Sequence, residues 1–210
     1  MEDWKQLDLN VDSLWLIPER AKDGKHKNVY HGNFVPQIPN QLIRRYTSVG
    51  DSVLELFSGS GTTLFECENL QRDYLGFDIN EQIIEYVNDK MQDCTAINYA
   101  IKNVDVTNVI ELSASIDEWL MNNGKDYVDF IIAHPPYLDI VKFTNDSRDL
   151  SNISDVDLFI NKLTNAITAS VKFLKKNGYF AVVAGDIYKK SEVIPLAFKF
   201  IKAFVVNFKT

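Results

Sequence analysis

Val53-Leu54-Glu55-Leu56-Phe57-Ser58-Gly59-Ser60-Gly61-Thr62-Thr63 carries a compact apolar run into two glycines and on into a stretch that suits a helix. The apolar run predicts a strand over residues 53–57 that enters a glycine turn. Residues 62–69 predict the helix that follows. The same alternation continues outward from this unit. Residues 74–78 read as a strand, 81–91 as a helix with Ile83, Ile84 and Val87 on one face, and 96–104 as strand with loop. Residues 113–122 read as a helix, 128–133 as a strand and 155–174 as a long helix. After the turn Lys176-Asn177-Gly178, residues 179–184 read as a strand, 193–203 as a helix and 204–208 as the start of a last strand. Residues 40–46, behind Pro36 and Pro39, predict a short helix. Alternating strands and helices predict an α/β fold: a doubly wound, mostly parallel sheet with helices on both faces.

The chain has 210 residues, 46% hydrophobic and 24% charged, which excludes disorder and fibrous repeats and suits one domain. Residues 1–33 are irregular, with a polar, locally basic run over 19–27 that reads as an exposed loop; residues 34–210 read as the domain. The net charge of −7 argues mildly against nucleic acid, because phosphate binders usually carry a basic face. Cys67 and Cys94 have neither metal nor disulfide spacing, so a reduced, cytoplasmic setting is expected. His26 and His31 are too scattered for a metal site. There is no basic-then-apolar leader and no apolar run of membrane-spanning length.

A strand, a glycine turn and a helix make a nucleotide-type cradle, where the backbone approaches the ligand and the helix offers free N–H groups. Asp78, 19 residues after Gly59, stands where an acid would reach ribose hydroxyls. A P-loop is excluded because no lysine follows Gly61. A dinucleotide fingerprint is excluded because Leu64 stands where its third glycine is needed. Glu55, in the turn strand, is placed to face an ammonium group.

His134-Pro135-Pro136-Tyr137 ends the strand over residues 128–133. Two prolines make a rigid turn that presents one polar side chain, a free carbonyl and an aromatic face. Such a set suits a flat, amino-bearing ring. The aromatic stacks on it, while the carbonyl and the side chain accept hydrogen bonds from the exocyclic NH2 and aim its lone pair at a methyl donor. A base must be unstacked to arrive there.

Together these residues resemble the S-adenosylmethionine-dependent amino-methyltransferases of DNA, the N6-adenine and N4-cytosine family. Residues 54–63 resemble the cofactor motif, commonly Asp-Pro-Phe-x-Gly-Ser-Gly-Thr-Thr. Gly76-Phe77-Asp78-Ile79-Asn80 resembles the next strand, and His134-Pro135-Pro136-Tyr137 the catalytic Asp/Asn/Ser-Pro-Pro-Tyr/Phe turn. Residues 34–43 resemble the segment that closes over the methionine part. Asp105 matches the acid near the cofactor adenine, and Gly185-Asp186-Ile187-Tyr188 sits where a later strand meets the target pocket. The resemblance covers about residues 30–200. It implies a Rossmann-like methyltransferase fold and S-adenosylmethionine as cofactor. The cofactor would be held by Phe34, Pro36, Gln37, Glu55, Phe57, Ser58, Gly59, Ser60, Gly61, Thr62, Thr63, Asp78, Ile79 and Asp105. It implies His134, Pro135, Pro136 and Tyr137 as the catalytic turn, DNA as partner, no metal, and a restriction–modification setting.

Two departures shape the expectations. His134 replaces the usual Asp, Asn or Ser, and its imidazole must be neutral to accept an N–H. Tyr137 favours N6 of adenine over N4 of cytosine within the family. The family's final antiparallel hairpin is incomplete here: residues 204–208 can supply one arm, so the expectation is that the chain is truncated at its C-terminal end, or that the edge is completed by a second subunit or by self-association. Base reading falls to loops, with residues 19–31 and 138–153 as candidates and Lys142, Asn145 and Arg148 as contacts. N4-cytosine methylation of DNA, RNA or protein amino-methylation and a non-catalytic cofactor-binding subunit are the alternatives. With so few basic residues, weak stand-alone DNA affinity is expected.

Overall fold

The computed structural model describes residues 8–27, 32–189 and 191–207, residues 206 and 207 by backbone alone. His31, the end of the candidate loop over 19–31, and Phe208 lie outside the described residues. In chain order the elements are α1 (Gln37–Tyr46), β1 (Ser52–Glu55), α2 (Thr62–Leu70), β2 (Asp73–Asp78), α3 (Glu81–Lys90), β3 (Tyr99–Asn103), α4 (Val109–Asn122), β4 (Val128–Ala133), α5 (Val156–Val171), β5 (Leu174–Val182), β6 (Ile187–Lys189), β7 (Glu192–Ile194) and α6 (Leu196–Asn207). The first five strands form one parallel sheet in the order β3-β2-β1-β4-β5. The sheet is doubly wound and mostly parallel, as the alternation of elements predicts.

The strand sequences explain their places. β1 and β4 are buried at every position, as near-continuous apolar runs must be when helices cover both faces. On one face Leu54, Leu75, Phe77 and Ile131 pack against residues of α4, α5 and α6. On the other, Val53, Tyr74, Phe130 and Ile132 meet Ile43 of α1, Leu64 and Phe65 of α2 and Val87 of α3. Asn80, Asn108 and Asp155 cap α3, α4 and α5, each accepting a backbone N–H of the first turn. Asn80, at the start of α3, also closes the loop that leaves β2.

The order reverses between β1 and β4. The chain winds outward from β1 to β2 and β3, then returns to β4 and winds to β5. Glu55 of β1 pairs with Ile132 of β4. The glycine turn after β1 and the His-Pro-Pro-Tyr turn after β4 therefore leave the same edge of the sheet side by side. A crevice opens at such a switch point, outside the carboxyl ends of the strands.

Three expectations need correction, all after residue 174. Lys176-Asn177-Gly178 does turn, with Asn177 at φ +61°, but inside β5: Val128 pairs with Leu174 and Phe130 already with Tyr179, so the extra residues bulge from one continuous strand. Val193 is not helical; β6 and β7 form an antiparallel ribbon, Tyr188 opposite Val193. Residues 204–207 are not a strand but the last turns of α6. Leu196, Phe200 and Phe204, spaced four apart, are all buried and form one helical face, which overrides the strand preference of Val205 and Val206. Among the described residues β5 is thus one edge of the sheet, with β3 at the other.

Candidate active site

The glycine turn is built by backbone conformation. Gly59 and Gly61 take φ of +47° and +83°, a region side-chain-bearing residues rarely adopt. A Cβ on Gly61 would stand 2.8 Å from Cγ1 of Val87 in α3. Ser58 N–H donates to the Phe77 carbonyl at 2.8 Å, and Gly59 N–H donates to Oδ2 of Asp78 at 2.8 Å. Asn80 N–H donates to Oδ1 of Asp78 at 2.9 Å. Burial pushes the Asp78 carboxyl up from the ordinary range, and these N–H bonds oppose that rise.

The glycine turn and the His-Pro-Pro-Tyr turn open onto one cavity. Of the residues expected at the cofactor, Phe34, Phe57, Ser58, Gly59, Thr62, Asp78, Ile79 and Asp105 line it, together with His134, Pro135 and Pro136. Asp105 Oδ1 accepts from Thr107 N–H and Oγ1–H, both at 2.8 Å. Phe34 leans over the His134 ring, centroids 4.6 Å apart and planes tilted by 44°. His134 Nε2 lies 3.1 Å from the Tyr137 hydroxyl. Burial lowers the His134 pKa to about 4, so the ring is neutral over the physiological range.

Other expected residues act from behind the wall. Glu55 is the main correction. It is fully buried, and its two oxygens accept from Thr63 Oγ1 at 2.6 Å and Tyr74 Oη at 2.5 Å. Burial pushes its carboxyl up to about 8, so at neutral pH it is no anion for an ammonium group. Ser58 Oγ lies 2.9 Å from Tyr74 Oη, which ties this buried network to the cavity wall. Pro36 precedes α1. Gln37 accepts from Ala21 N–H at 3.2 Å and donates to the Glu19 carbonyl at 2.7 Å, so it anchors the N-terminal segment. Ser60 Oγ donates to Asn33 Oδ1 at 2.8 Å. Gly61 and Thr63 shape the start of α2.

The segment over residues 138–152 is more ordered than its polar sequence suggests. Asp149 is buried and accepts from Thr144 N–H and Oγ1–H at 2.8 and 3.0 Å and from Ser151 N–H at 2.7 Å. This knot brings Phe143, Thr144, Arg148, Asp149 and Leu150 to the cavity, a wall the sequence reading missed. Its only signal was the Asx-type spacing of Asp146, Asp149 and their hydroxyl partners. Arg148 pairs with Asp146 at 2.7 Å and lies beside Asn103, so it belongs to the cavity wall rather than standing as an isolated cation. Lys142 and Asn145 are exposed.

Residues 2–89 match a family model described as DNA methylase, the N6/N4 class. Over that stretch the chain is similar to the DNA methylase family. It is 37% identical over 78 residues to the type II methyltransferase M.MjaII of Methanocaldococcus jannaschii, covering 37% of this chain and 14% of that protein. It is 27% identical over 105 residues to M.BglI of Bacillus subtilis, covering 50% of this chain and 28% of that protein. It is 39% identical over 82 residues to M.HpaI of Haemophilus parainfluenzae, covering 39% and 26%. The methylase match thus spans less than a third of each of these curated relatives. Among solved structures, the precorrin-6y C5,15-methyltransferase of Geobacter metallireducens superposes with a TM-score of 0.52 at 14% identity, covering 87% of this chain and 74% of that one. An rRNA methylase from Streptococcus thermophilus gives 0.51 at 12% identity, covering 82% and 78%. These two show the fold, a Rossmann-like methyltransferase sheet.

S-adenosylmethionine is the cofactor of this methylase family, and the residues present fit it. Asp78, Asp105 and Asp149 line the cavity, with Arg148 already paired to Asp146. Such a wall suits a sulfonium with an ammonium group and repels a pyrophosphate. Among the described residues no helix is long and apolar enough to cross a membrane.

Proposed function

We propose that this chain is the catalytic core of a DNA amino-methyltransferase acting on N6 of adenine in a flipped base. The observation that carries the reading is the shared cavity at the switch point. A phosphate-averse acidic cradle and a rigid Pro-Pro turn face one another across it.

The bound cofactor supplies an electrophilic methyl group. Everything else falls to the chain. Asp78 holds ribose hydroxyls, fixed in place by Gly59 N–H and Asn80 N–H. Asp105, braced through Oδ1 by Thr107, receives the amino group of the cofactor's adenine on its other oxygen. Gly59 lets the backbone approach. Phe34 and Phe57 give the cavity its apolar sides and exclude water. The Pro135 carbonyl accepts one N–H of the target amino group, and the neutral His134 stands beside it. These acceptors keep the nitrogen lone pair out of ring conjugation and aim it at the methyl group, so positioning and electrostatics carry the rate. Tyr137 as the fourth residue of the turn supports adenine by family resemblance.

Residues 34–210 form the methyltransferase unit in this reading, and the cytoplasm is its place. Lys142 and Asn145, exposed on the loop beside the cavity, touch DNA. At a net charge of −7, stand-alone DNA affinity is weak and falls further with salt. A second subunit or a second copy covers the β5 edge. The test is transfer of a labelled methyl group offered DNA, RNA and protein side by side. Label in DNA supports the reading; label in RNA or protein alone overturns it.

A further inference from the structure

His134 and Tyr137 are the first and last residues of the rigid turn, and of the two His134 lines the cavity. Pro135 and Pro136 fix the backbone between them. Leu138, next in sequence, is fully buried at φ +54°, a strained conformation for a branched residue. Within the turn the Tyr137 hydroxyl lies 3.1 Å from His134 Nε2. Gly185 gives the Tyr137 ring its seat: a Cβ there would lie 3.3 Å from Tyr137 Cε2.

A neutral imidazole has one donor and one acceptor nitrogen, and the partner of one nitrogen decides the role of the other. A target amino group brings two N–H donors. The Pro135 carbonyl meets one, so the second needs an acceptor on the same wall. Nδ1 of His134 is two bonds beyond Cβ, where an Asp or Asn would carry its oxygen. Among the described residues it has no other hydrogen-bond partner.

We propose that Tyr137 is a positioning residue that sets the tautomer of His134, its oxygen accepting Nε2–H and so leaving the Nδ1 lone pair for the target amino group. Tyr137 acts through His134 rather than only as a stacking face. His134 thereby does the work of an amide oxygen, but only while its proton stays on Nε2. This rests on the amino-methyltransferase reading above.

A double-mutant cycle tests it. Tyr137→Phe keeps the ring and removes the oxygen. In the His134 background it is expected to slow methyl transfer by up to about tenfold, the scale of one hydrogen bond. With His134→Asn, whose side-chain oxygen needs no tautomer, the cost of the same substitution is expected to shrink below about twofold. Equal costs in both backgrounds would overturn the proposal. Nitrogen-15 NMR of labelled histidine in the free protein gives a second readout that needs no activity, with the His134→Asn spectrum assigning the signal. The proposal requires Nε2–H alone in the native chain and a mixed tautomer in Tyr137→Phe. A native proton on Nδ1, or an unchanged tautomer in the variant, overturns it. Nε2–H in a chain that transfers no methyl group would sink the functional reading and leave the tautomer assignment standing.

Discussion

The amide N–H of Gly59 and Oδ2 of Asp78 lie 2.8 Å apart, so the turn after β1 and the end of β2 are held as one piece. Replacing Asp78 with alanine removes the carboxylate that anchors the turn and, in the proposed function, the ribose. Cofactor affinity measured by calorimetry is expected to fall about tenfold to a hundredfold, the range for hydrogen bonds to a charged group. An unchanged affinity would place the ribose elsewhere.

The buried Glu55 makes stability depend on pH in a fixed direction. Its folded pKa, about 8, lies above its unfolded value of 4.5, so the native state binds the extra proton. Stability is then full below the unfolded value and falls as pH rises towards about 8, at up to about 1.4 kcal/mol per pH unit. Glu55→Gln cannot ionise. Urea melts between pH 5 and 8 are expected to be flatter for the variant than for the native chain; parallel slopes would show that Glu55 is ionised when folded.

His134 works in the opposite sense. Its folded pKa, about 4, lies below the ordinary 6.5, so its contribution is present above 6.5 and lost as pH falls towards 4. An ordinary histidine titrates between about pH 5 and 8. Burial moves that window. The His134-dependent part of the methyl-transfer rate should be level from pH 5 to 8 and fall only near pH 4. An inflection near 6.5 that disappears in His134→Asn would show an exposed ring.

Gly76 lies where β2 passes the buried Glu55 network. A Cβ there would run into the side chains of Ser58 and Tyr74, which are themselves hydrogen-bonded. Gly76→Ala is expected to cost about 1–3 kcal/mol through overpacking and the displaced hydroxyls. Chemical denaturation measures it, and a neutral substitution would mean that the network is looser than its distances imply.

Legibility followed the strength of local pattern. β1 and β4 were readable because buried strands are written as apolar runs closed by a glycine or proline turn, and β2 from its short apolar run between Asp73 and Asp78. The switch-point crevice then follows from the alternation of elements. Glu55 shows the limit: its position in the motif is plain, but only packing reveals that Thr63 and Tyr74 enclose it. The wall over residues 143–150 was hidden for a related reason, since Asp149 is a polar residue whose partners lie within five residues and whose burial no periodicity records. At α6, Val205 and Val206 favour a strand, and the four-residue spacing of Leu196, Phe200 and Phe204 was the competing signal that prevailed.

The central claim is that one cavity joins an S-adenosylmethionine cradle to a turn that receives an adenine. The most direct measurement incubates the chain with methyl-labelled S-adenosylmethionine and unmethylated DNA, then identifies the labelled nucleoside after digestion. The account predicts N6-methyladenine. Label on N4 of cytosine would contradict the choice of base, and cofactor binding with no label in DNA would contradict the claim itself.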